Sequence, residues 1–490
     1  MSTKALSREA LGKRPHALRA AHTVSIVGAQ VTRARISSYA RPVTRPTRTI
    51  EESQRGASAG VQAAPGILQL FSGARARFSV RALKAAPLVI GRDGADFELS
   101  DDRLSRRHAS VALLDDGIHV VDLESRNGTY VDGVRIAREA RITAPAVLRV
   151  GRSLFLLEPD ALRFAGISTM LREGAVVGPT LARSWQSIAE AARAGDTLLL
   201  TGESGSGKEL AARHFHLHGP QPSGPLIAIN CATVPEGLAE RLLFGTRKGA
   251  YSGATDHAGG YLQAAHGGTL FLDEIGELDK TVQPKLLRVL ETKEVWPLGA
   301  SQPVKVDVRI VSATLRDLRA RVTSGEFRQD LFYRIGTSEV RLPPLRERRE
   351  EIALLIEREL ASVAAGEAVL PPSYGFVEAC LLRPWPGNVR ELHACVRASA
   401  RKARAAGASD VGVEYLSEQA GFPLSVGERE SASSSAPPAA SAAELTREQI
   451  EAALDREAGN VSRAARALGL HRNQLRRWLT RNAPERDRDD

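Results

Sequence analysis

A chain of 490 residues, 43% of them hydrophobic, has the length of about three domains with linkers. No stretch approaches the roughly 18 consecutive apolar residues of a membrane span, and the N-terminus shows no secretory signal with an apolar centre. Cys231, Cys380 and Cys395 have neither metal-ligand spacing nor a disulfide pattern. We therefore expect a protein of the reducing cytoplasm that has no membrane partner.

The net charge of +10 is concentrated at the N-terminus. Residues 1–60 contain eleven Lys and Arg against three Glu, a net charge of +8. With Tyr39 as its only aromatic residue, the segment 1–62 cannot bury enough apolar surface to fold, and we predict that it is disordered. Its charge would permit non-specific contact with nucleic acid, although a solvated tail is the simpler interpretation.

Short alternating segments predict a β-sandwich domain over residues 65–158. Asp132 and Gly133 separate two arms of β-type residues, which is a strong signal for a two-residue hairpin. Other segments of strand character are 78–83, 118–123 and 154–157. Many short strands joined by polar turns are typical of a sandwich.

The loops of this region carry side chains that bind oxyanions. They contain Gly91-Arg92, Ser105-Arg106-Arg107-His108 and Ser125-Arg126-Asn127-Gly128-Thr129. Arginine is suited to bidentate phosphate contact. In this order and spacing the three groups resemble a forkhead-associated (FHA) domain, which reads phosphothreonine peptides.

The FHA resemblance assigns a role to each loop residue. It implies that the phosphate is held by Arg92, Ser105 and Arg106, that Asn127 binds the peptide backbone, and that the loops are shaped by His108 and Gly128. Two alternatives stay open: a sandwich with incidental polar loops, and a degenerate module that binds no phosphate but docks within an oligomer.

After a connector at residues 159–176, alternating strands and helices predict an α/β three-layer domain with a parallel sheet over residues 177–408. An apolar strand at 198–200 runs into a G-x-x-x-x-G-K loop that a helix follows. Backbone N–H groups and the helix N-terminus would bind the phosphates of ATP there. The loop consists of Gly202, Glu203, Ser204, Gly205, Ser206, Gly207 and Lys208. Glu209 departs from the general pattern, which has Ser or Thr for Mg²⁺.

A second buried strand, at 269–272, ends in Asp273 and Glu274, 65 residues after Lys208. Asp273 can hold Mg²⁺ through water, and Glu274 can polarise a water for attack on the γ-phosphate. Between the two motifs, residues 249–254 form a predicted flexible loop with Tyr251 at its tip. An ordinary surface turn is the alternative that the residues alone leave open.

That loop resembles the G-A-F-T-G-A signature of the AAA+ domain of sigma-54-dependent transcription activators, the bacterial enhancer-binding proteins. Other stretches that agree with this family are Asn230-Cys231-Ala232 and residues 272–277, 285–290, 327–334, 342–346 and 384–392. In this family, glutamate is the usual residue at the position that Glu209 occupies here. The resemblance implies that sigma-54 is contacted by Gly249, Ala250, Tyr251, Ser252, Gly253 and Ala254.

The same resemblance implies the catalytic roles. Asn230 would hold Glu274 in its inactive or active pose, and Arg390 would sense the nucleotide from a helical lid at about 346–408. Arg328 and Arg334 would reach a neighbouring subunit's site as arginine fingers, which requires a homo-oligomer, a hexameric ring or similar. From the residues alone, these two arginines are equally an exposed helix face.

Three positions depart from the family. Tyr251 replaces Phe and Ser252 replaces Thr, and both changes keep an aromatic ring and a hydroxyl. Leu315 replaces the asparagine that follows Ala313-Thr314 at the end of the sensor strand, and an aliphatic side chain cannot hydrogen-bond to phosphate or water. We still expect activity. The alternative is an ATPase-impaired DNA-binding regulator or scaffold.

Three histidines follow the phosphate-binding loop. Only His214 and His218 share a helix face, since His216 lies between them. We expect no metal site here, because no carboxylate completes one.

Residues 409–444 are predicted to be a flexible linker, and 445–483 an all-α domain that resembles the Fis-type helix-turn-helix. Its last helix would contact DNA through Arg472, Asn473, Gln474, Arg476 and Arg477. A helical dimerisation tail is the alternative.

Together, these features predict a sigma-54-dependent regulator that binds upstream enhancer DNA and hydrolyses ATP to remodel sigma-54 RNA polymerase. Its FHA domain would bind a phosphothreonine protein, either a Ser/Thr kinase or a substrate of one. A general AAA+ remodeller without sigma-54 contact is a third hypothesis, which the 249–254 loop argues against.

Overall fold

The computed structural model of the chain describes residues 64–142, 145–164, 166, 169–235, 237–249, 258–364, 366–423, 450, 452, 453 and 456. All of them belong to one compact unit. Nothing in these ranges is a helix both long and apolar enough to span a membrane.

Eleven short strands occupy the described part of residues 66–158. In chain order they are β1 Gly66–Ser72, β2 Arg75–Ala82, β3 Leu88–Gly91, β4 Phe97–Glu98, β5 Ala109–Leu114, β6 Gly117–Asp122, β7 Thr129–Val131, β8 Val134–Arg135, β9 Glu139–Ile142, β10 Ala146–Val150 and β11 Ser153–Glu158. They form a sheet of order β2-β1-β11-β10-β7-β8 and a sheet of order β4-β3-β5-β6-β9. The predicted hairpin joins β7 to β8, and both turn residues have positive φ, 47° at Asp132 and 78° at Gly133.

Strands β1 and β11 are buried on both faces. Ile67, Phe155 and Leu157 point into the core between the two sheets. Leu68, Leu154 and Leu156 alternate with them and belong to a second core shared with helices from residues 352–405. The apolar run of β11, and that of β1, which only Gln69 interrupts, follow from this double burial, since side chains alternate between the two faces of a strand.

The α/β domain begins with a hairpin, β12 Met170–Arg172 and β13 Ala175–Val177, and with α1 Pro179–Ala194. Its further strands are β14 Leu198–Thr201, β15 Leu226–Asn230, β16 Gly268–Asp273, β17 Glu294–Val295, β18 Val304–Lys305, β19 Val308–Thr314 and β20 Ser338–Arg341. Its further helices are α2 Lys208–His218, α3 Ala239–Phe244, α4 Tyr261–Ala264, α5 Gln283–Thr292, α6 Leu318–Thr323 and α7 Gln329–Ile335.

The central sheet is parallel, with order β15-β16-β19-β14-β20. One face packs on α1 and α2, through Leu200, Val311 and Phe215 among others. The other face packs on α5 and α7. This is the predicted three-layer arrangement, and it places the carboxyl ends of β14, β16 and β19 at one edge of the sheet.

The lid contains α8 Ile352–Ser362, α9 Tyr374–Leu381 and α10 Asn388–Ala405. Its core includes Trp385, whose indole Nε1 donates to the carbonyl of Cys380 at 2.7 Å. Helices α8 and α9 also receive the outer face of the β1–β11 sheet. A nearly buried ion pair between Arg149 of β10 and Glu378 of α9, at 2.8 Å, lies at this contact.

Two predicted segments differ from the structure. The connector at 159–176 contains the β12–β13 hairpin and buries Phe164. The linker was predicted to begin at residue 409, but residues 409–423 pack on the lid: Leu416 is buried, and Arg383 donates to the carbonyls of Ser417 and Ala420. The reason is that a few apolar residues in this stretch find partners on α9 and α10.

Candidate functional site

The loop of residues 202–208 joins β14 to α2, and its backbone explains its glycines. Gly205 and Gly207 have φ values of 74° and 107°, in the left-handed region that L side chains rarely adopt. A Cβ on Gly205 would lie 2.3 Å from the carbonyl oxygen of Gly387 in the lid. The loop is therefore shaped both by its own turns and by the close approach of the lid.

Lys208 is the first residue of α2, and only 8% of it is exposed. Its Nζ donates to the carbonyl of Gly202 at 3.0 Å and lies 3.9 Å from Oε1 of Glu274. The ammonium group thus lies between the glycine turn and the carboxylate that follows β16. Phosphoryl transfer needs a cation in such a place, next to the group that orients the nucleophile.

Glu203 of the loop is held by the lid. Arg346 makes a bidentate pair with its carboxylate, at 2.7 and 2.9 Å, and Asn388 Nδ2 donates to the same carboxylate at 3.1 Å. The hydrogen bonds from Arg346 are the largest cause that keeps the pKa of Glu203 below its ordinary value. The carboxylate therefore stays ionised and ties the loop to the lid.

Two further lid arginines contact the loop. Arg390 donates to Oγ of Ser204 at 2.9 Å. Arg348 is buried and donates to the carbonyl of Ser206 at 2.7 Å, while its other terminal nitrogen pairs with Glu351 at 2.8 Å. Of these lid residues, only Arg390 was predicted to contact the nucleotide site; Arg346, Arg348 and Asn388 were not. Arg346 and Asn388 lie in the stretches 342–346 and 384–392, which agree with the family, and this agreement could have pointed to them.

Asp273 and Glu274 lie at the carboxyl end of β16. Asp273 accepts the N–H of Glu274 at 3.1 Å, and Glu274 has φ 52°, a conformation uncommon for a residue with a side chain. Oε2 of Glu274 accepts the N–H of Leu315 at 3.2 Å. The glutamate carboxylate is thus fixed between Lys208 and the end of β19.

Leu315 contacts Glu274 through its main chain. Its side chain is 54% exposed, whereas Thr314 before it is buried and its Oγ1 accepts the N–H of Arg316 at 3.0 Å. Any amino acid except proline supplies this N–H at position 315. The connection from the sensor strand to Glu274 therefore does not depend on an amide side chain.

Asn230 makes a different contact from the predicted one. Its Oδ1 accepts the N–H of Ala232 at 2.9 Å and so caps the short 3-10 helix Cys231–Thr233. No hydrogen bond joins it to Glu274 within the described residues. Asn230 is nevertheless level with Asp273 in the β15–β16 register, one residue from the carboxylate it was predicted to hold.

Arg328 and Arg334 lie on or next to α7. The Arg328 guanidinium is exposed and pairs with Asp330 at 2.7 Å, a contact that raises the pKa of Arg328 and lowers that of Asp330. Arg334 donates to the carbonyl of Leu290 at 3.1 Å. Neither is joined to Lys208 or Glu274 of its own chain by a hydrogen bond or ion pair in the described structure.

The predicted phosphopeptide residues lie in the loops at one end of the sandwich. Arg92, Ser105 and Asn127 line a cavity of about 420 Å³, together with Asp102, Arg103, Leu104 and Arg126. Arg106 is not among the lining residues. Its carbonyl instead lies where a Cβ on Gly91 would come within 1.9 Å, so this glycine permits the two loops to touch. Arg103 and Arg126 add positive charge that sequence analysis did not assign.

His108 holds these loops together from inside. Its buried ring accepts the N–H of Ser105 at Nδ1 and donates from Nε2 to the carbonyl of Gly128, both at 3.2 Å. The two bonds together define a neutral imidazole. Burial lowers the pKa of His108, which agrees with this neutral form.

Several predicted site residues lie outside the described residues. They are Ala250, Tyr251, Ser252, Gly253 and Ala254 of the sigma-54 loop, and Arg472, Asn473, Gln474, Arg476 and Arg477 of the DNA-binding helix. Gly249 is the last described residue before the loop, with φ 80°.

Three family models match the chain. The Sigma-54 interaction domain matches residues 176–341, the FHA domain matches residues 88–151, and the Fis family of bacterial regulatory proteins matches residues 441–481. Together they cover the candidate nucleotide site, the loop cavity and the C-terminal segment.

Curated relatives match over both short and long spans. The Nif-specific regulatory protein of Herbaspirillum seropedicae is 49% identical over 42% of this chain, but the match covers only 39% of that relative. The response regulator protein PilR of Pseudomonas aeruginosa is 36% identical, over 69% of this chain and 82% of its own length. The transcriptional regulatory protein GlrR of Escherichia coli (strain K12) is 33% identical, over 80% of this chain and 88% of its own length.

The chain spans between 39% and 58% of the length of the first three relatives, two Nif-specific regulatory proteins and an NtrC. The longer matches to PilR and GlrR extend beyond the ATPase domain on this chain. With three family models in the order FHA, sigma-54 interaction and Fis, the chain belongs to the sigma-54-dependent transcriptional activators, as a member with an FHA domain, an AAA+ domain and a Fis-type helix-turn-helix.

Proposed function

We propose that the chain hydrolyses ATP and uses the energy to remodel sigma-54 RNA polymerase for promoter opening. The observation that carries this proposal is the convergence of Lys208, Asp273 and Glu274 at one edge of the parallel sheet, with Lys208 and Glu274 3.9 Å apart. A regulator of transcription that contacts DNA and polymerase acts in the cytoplasm.

The residues present fit ATP and Mg²⁺. The glycine turn presents backbone N–H groups, and no Cβ obstructs them at Gly202, Gly205 and Gly207. The Lys208 ammonium lies against the same turn, where it donates to the carbonyl of Gly202. Asp273 has the hard oxygen ligands that Mg²⁺ prefers and would hold the ion through water. The ion would neutralise the charge that develops on the phosphates.

Glu274 would orient the attacking water. Its carboxylate is already fixed by the N–H of Leu315 and by the nearby Lys208, so it needs little reorganisation. Arg390 would report the state of the phosphates to the lid, because it already donates to Ser204 of the loop. Asn230 would hold Glu274 in one of its two poses.

Arg328 and Arg334 would act in the site of a neighbouring subunit. Within the described structure, neither arginine forms a hydrogen bond or ion pair with Lys208 or Glu274 of its own chain, and Arg328 is exposed. Both observations support this assignment. A site completed in trans requires a ring, and we propose a hexamer assembled from DNA-bound dimers. The dimers would bind enhancer DNA through Arg472, Asn473, Gln474, Arg476 and Arg477.

Output would pass through residues 249–254 to sigma-54, with Tyr251 at the contact. Input would come from the FHA cavity, where Arg92 and Ser105 would hold a phosphothreonine and Asn127 the peptide backbone, with Arg106 on the neighbouring loop. The arginines that line the cavity support this function. The partner is a phosphothreonine protein, a Ser/Thr kinase or a substrate of one.

ATP turnover by the purified chain tests the enzymatic part. We expect turnover that Glu274→Gln lowers by about 10²-fold or more, as for loss of a general base. Glu190→Gln, an equal change on the exposed side of α1, is the matched control and should leave turnover intact. Turnover no higher in the parent than in the Glu274 variant would refute hydrolysis.

Binding of paired threonine peptides tests the input. A phosphorylated peptide should bind and its unphosphorylated twin should not, and Arg92→Ala should abolish the difference. Arg141→Ala, on the exposed strand β9, serves as the control outside the cavity. Equal affinity of the two peptides for the parent chain would rule out phosphothreonine recognition.

A second candidate is an ATPase-impaired regulator that binds DNA without remodelling polymerase. The observation that favours it is the Leu315 side chain, which cannot hydrogen-bond where the family has asparagine. The turnover measurement separates the two candidates directly.

A further inference from the structure

Two histidines and a glutamate come together away from the nucleotide site. His214 and His218 lie one turn apart near the end of α2, and Glu173 is the first turn residue of the β12–β13 hairpin, with φ 48°. One ligand atom from each of the three lies within 4.8 Å of the other two. The carboxylate that the sequence did not reveal thus comes from 41 residues upstream of His214.

The ring of His214 is fixed in a position that suits metal ligation. Its Nε2 lies 3.1 Å from the carbonyl of Trp185, and its Nδ1 lies 2.7 Å from Oε2 of Glu173. Metal-binding histidines commonly donate their second N–H to a backbone carbonyl, which orients the ring. Here Trp185 is that acceptor, so Nδ1 is the nitrogen left for a ligand.

Both ring nitrogens of His214 face oxygen acceptors, which a neutral ring cannot satisfy with its single proton. The ring is buried, with 5% of the residue exposed, so both nitrogens depend on these protein partners. A cation between Nδ1 and Glu173 resolves the conflict, because the ring then stays neutral and donates only to Trp185.

His218 is placed to complete the set. Its ring centroid lies 4.1 Å from that of His214, and its Nδ1 lies 3.9 Å from Glu173. The same Nδ1 donates to the carbonyl of His214 at 2.9 Å, so Nε2 is the ring nitrogen left for an ion. A tetrahedral zinc site with bonds of about 2.0–2.1 Å needs ligand atoms about 3.4 Å apart. The side chains of Glu173 and His218 are 33% and 31% exposed, which leaves them room to rotate toward this spacing.

We propose that Glu173, His214 and His218 form a binding site for a divalent transition-metal ion of the zinc class. Two imidazoles and one carboxylate are a ligand set that suits zinc better than magnesium, and three protein ligands leave one position for water. The ion joins the hairpin between the FHA and AAA+ domains to the helix that begins with Lys208. It is separate from the magnesium expected at Asp273.

Zinc titration of the tag-free full chain, stripped of metal with a chelator, tests the site. Competition with a chromophoric zinc chelator should show one more Zn²⁺ bound per parent chain than per Glu173→Gln chain, and the same loss for His218→Gln. Co²⁺ in place of zinc should give the visible absorption of tetrahedral coordination in the parent but not in Glu173→Gln or His218→Gln. Zn²⁺ should raise the Tm of the parent and not that of the variants.

Glu190→Gln and His119→Gln are matched controls, since each makes the same change outside the cluster. They should bind zinc as the parent does. The conclusion rests on Glu173 and His218, whose exposed side chains can be exchanged without disturbing the fold; His214→Gln is interpreted only if its circular dichroism is that of the parent. Zinc stoichiometry and affinity that survive Glu173→Gln unchanged overturn the proposal.

Discussion

At the scale of single residues, the chemistry centres on the carboxylate of Glu274. It is held by a main-chain N–H from Leu315 and faces the ammonium of Lys208 at 3.9 Å. Its left-handed backbone, with φ 52°, turns the chain sharply after β16. A strained residue at a strand end is often part of a reactive site, and this one carries the predicted water-orienting group.

Leu315→Asn tests whether the departure from the family matters. We expect ATP turnover to change by less than about threefold, because the contact with Glu274 uses a main-chain N–H that leucine and asparagine both offer. Phosphate release by the parent and the variant is the measurement. Leu315→Ala is the control for loss of the exposed side chain alone. A gain of tenfold or more in the asparagine variant would show that Leu315 had impaired the enzyme.

The positions of residues that belong to one continuous motif were predictable, whereas contacts that depend on packing were not. Lys208, Asp273 and Glu274 follow from strand-loop patterns, because the parallel sheet brings its carboxyl ends together. The clamp on Glu203 by Arg346 and Asn388 needs the lid to fold back over the loop, from more than 140 residues away. The contact between Glu173 and His214 also depends on packing, so the sequence did not predict it.

At the scale of elements, the FHA loops are stabilised by one neutral histidine and one ionised aspartate. Asp122 accepts hydrogen bonds from Ser125 and Thr129, both at 2.6 Å. Burial alone would raise the pKa of Asp122, but these bonds outweigh it and the pKa lies below its ordinary value. The loop geometry that lines the cavity therefore depends on pH through His108 and Asp122.

The pH dependence of stability tests this. Because the pKa of His108 is lower in the folded chain than the ordinary value of about 6.5, the unfolded chain takes up the proton first. The free energy of unfolding should be constant above about pH 7 and fall as the pH drops below about 6.5, by at most about 1.4 kcal/mol per pH unit from this residue.

Urea denaturation followed by circular dichroism at pH 7.5 and 5.5 measures this dependence. In His108→Gln, which cannot titrate, the difference between the two pH values should shrink. A slope as steep as that of the parent would mean that other groups set the pH dependence. Carboxylates such as Asp122 contribute at lower pH, since their stabilisation is lost only as the pH falls through their lowered folded pKa.

The elements themselves were largely predictable. The two-residue hairpin at Asp132 and Gly133, the strand before the phosphate-binding loop and the three-layer order were predicted from turn residues and apolar periodicity. Arg103 and Arg126 of the FHA cavity were not, because single arginines in polar loops are common and only the fold brings them together. The packing of residues 409–423 was missed because the six apolar residues of that stretch are scattered among Gly, Ser and Glu.

At the scale of the whole molecule, the sandwich and the lid share a hydrophobic core. Leu68, Leu154 and Leu156 of the outer sheet face pack with Cys380 and Leu381 of α9 in one cluster. The lid also grips the phosphate-binding loop through Arg346 and Arg390. The FHA domain therefore contacts the element that also holds the phosphate-binding loop, and we propose this contact as a physical route for control.

Arg149→Ala tests that route. Arg149 lies over the ring of Tyr130 at 3.5 Å and pairs with Glu378, so its loss leaves a nearly buried carboxylate without its partner. We expect the variant to bind the phosphothreonine peptide as before, while the peptide ceases to change ATP turnover. Arg141→Ala is the surface control. A peptide response equal to that of the parent would show that control bypasses this contact.

Two predicted parts of the whole, the basic segment 1–62 and the helix-turn-helix at 445–483, lie almost entirely outside the described residues. The predicted helix-turn-helix is supported by the match of the Fis family model to residues 441–481. The contact between sandwich and lid had a signal in the sequence, the apolar run of β11 and the nearly continuous one of β1. That signal does not say which partner covers the outer face.

Promoter opening in a purified system tests the central claim most directly. The full chain, sigma-54 RNA polymerase and a template that carries the upstream binding site are combined with ATP, and melted DNA is detected by permanganate footprinting. We predict open complexes with the parent chain and ATP, and none with Glu274→Gln or with a non-hydrolysable analogue. Open complexes that form equally well with Glu274→Gln, or ATP turnover by the parent without any open complex, would contradict the account.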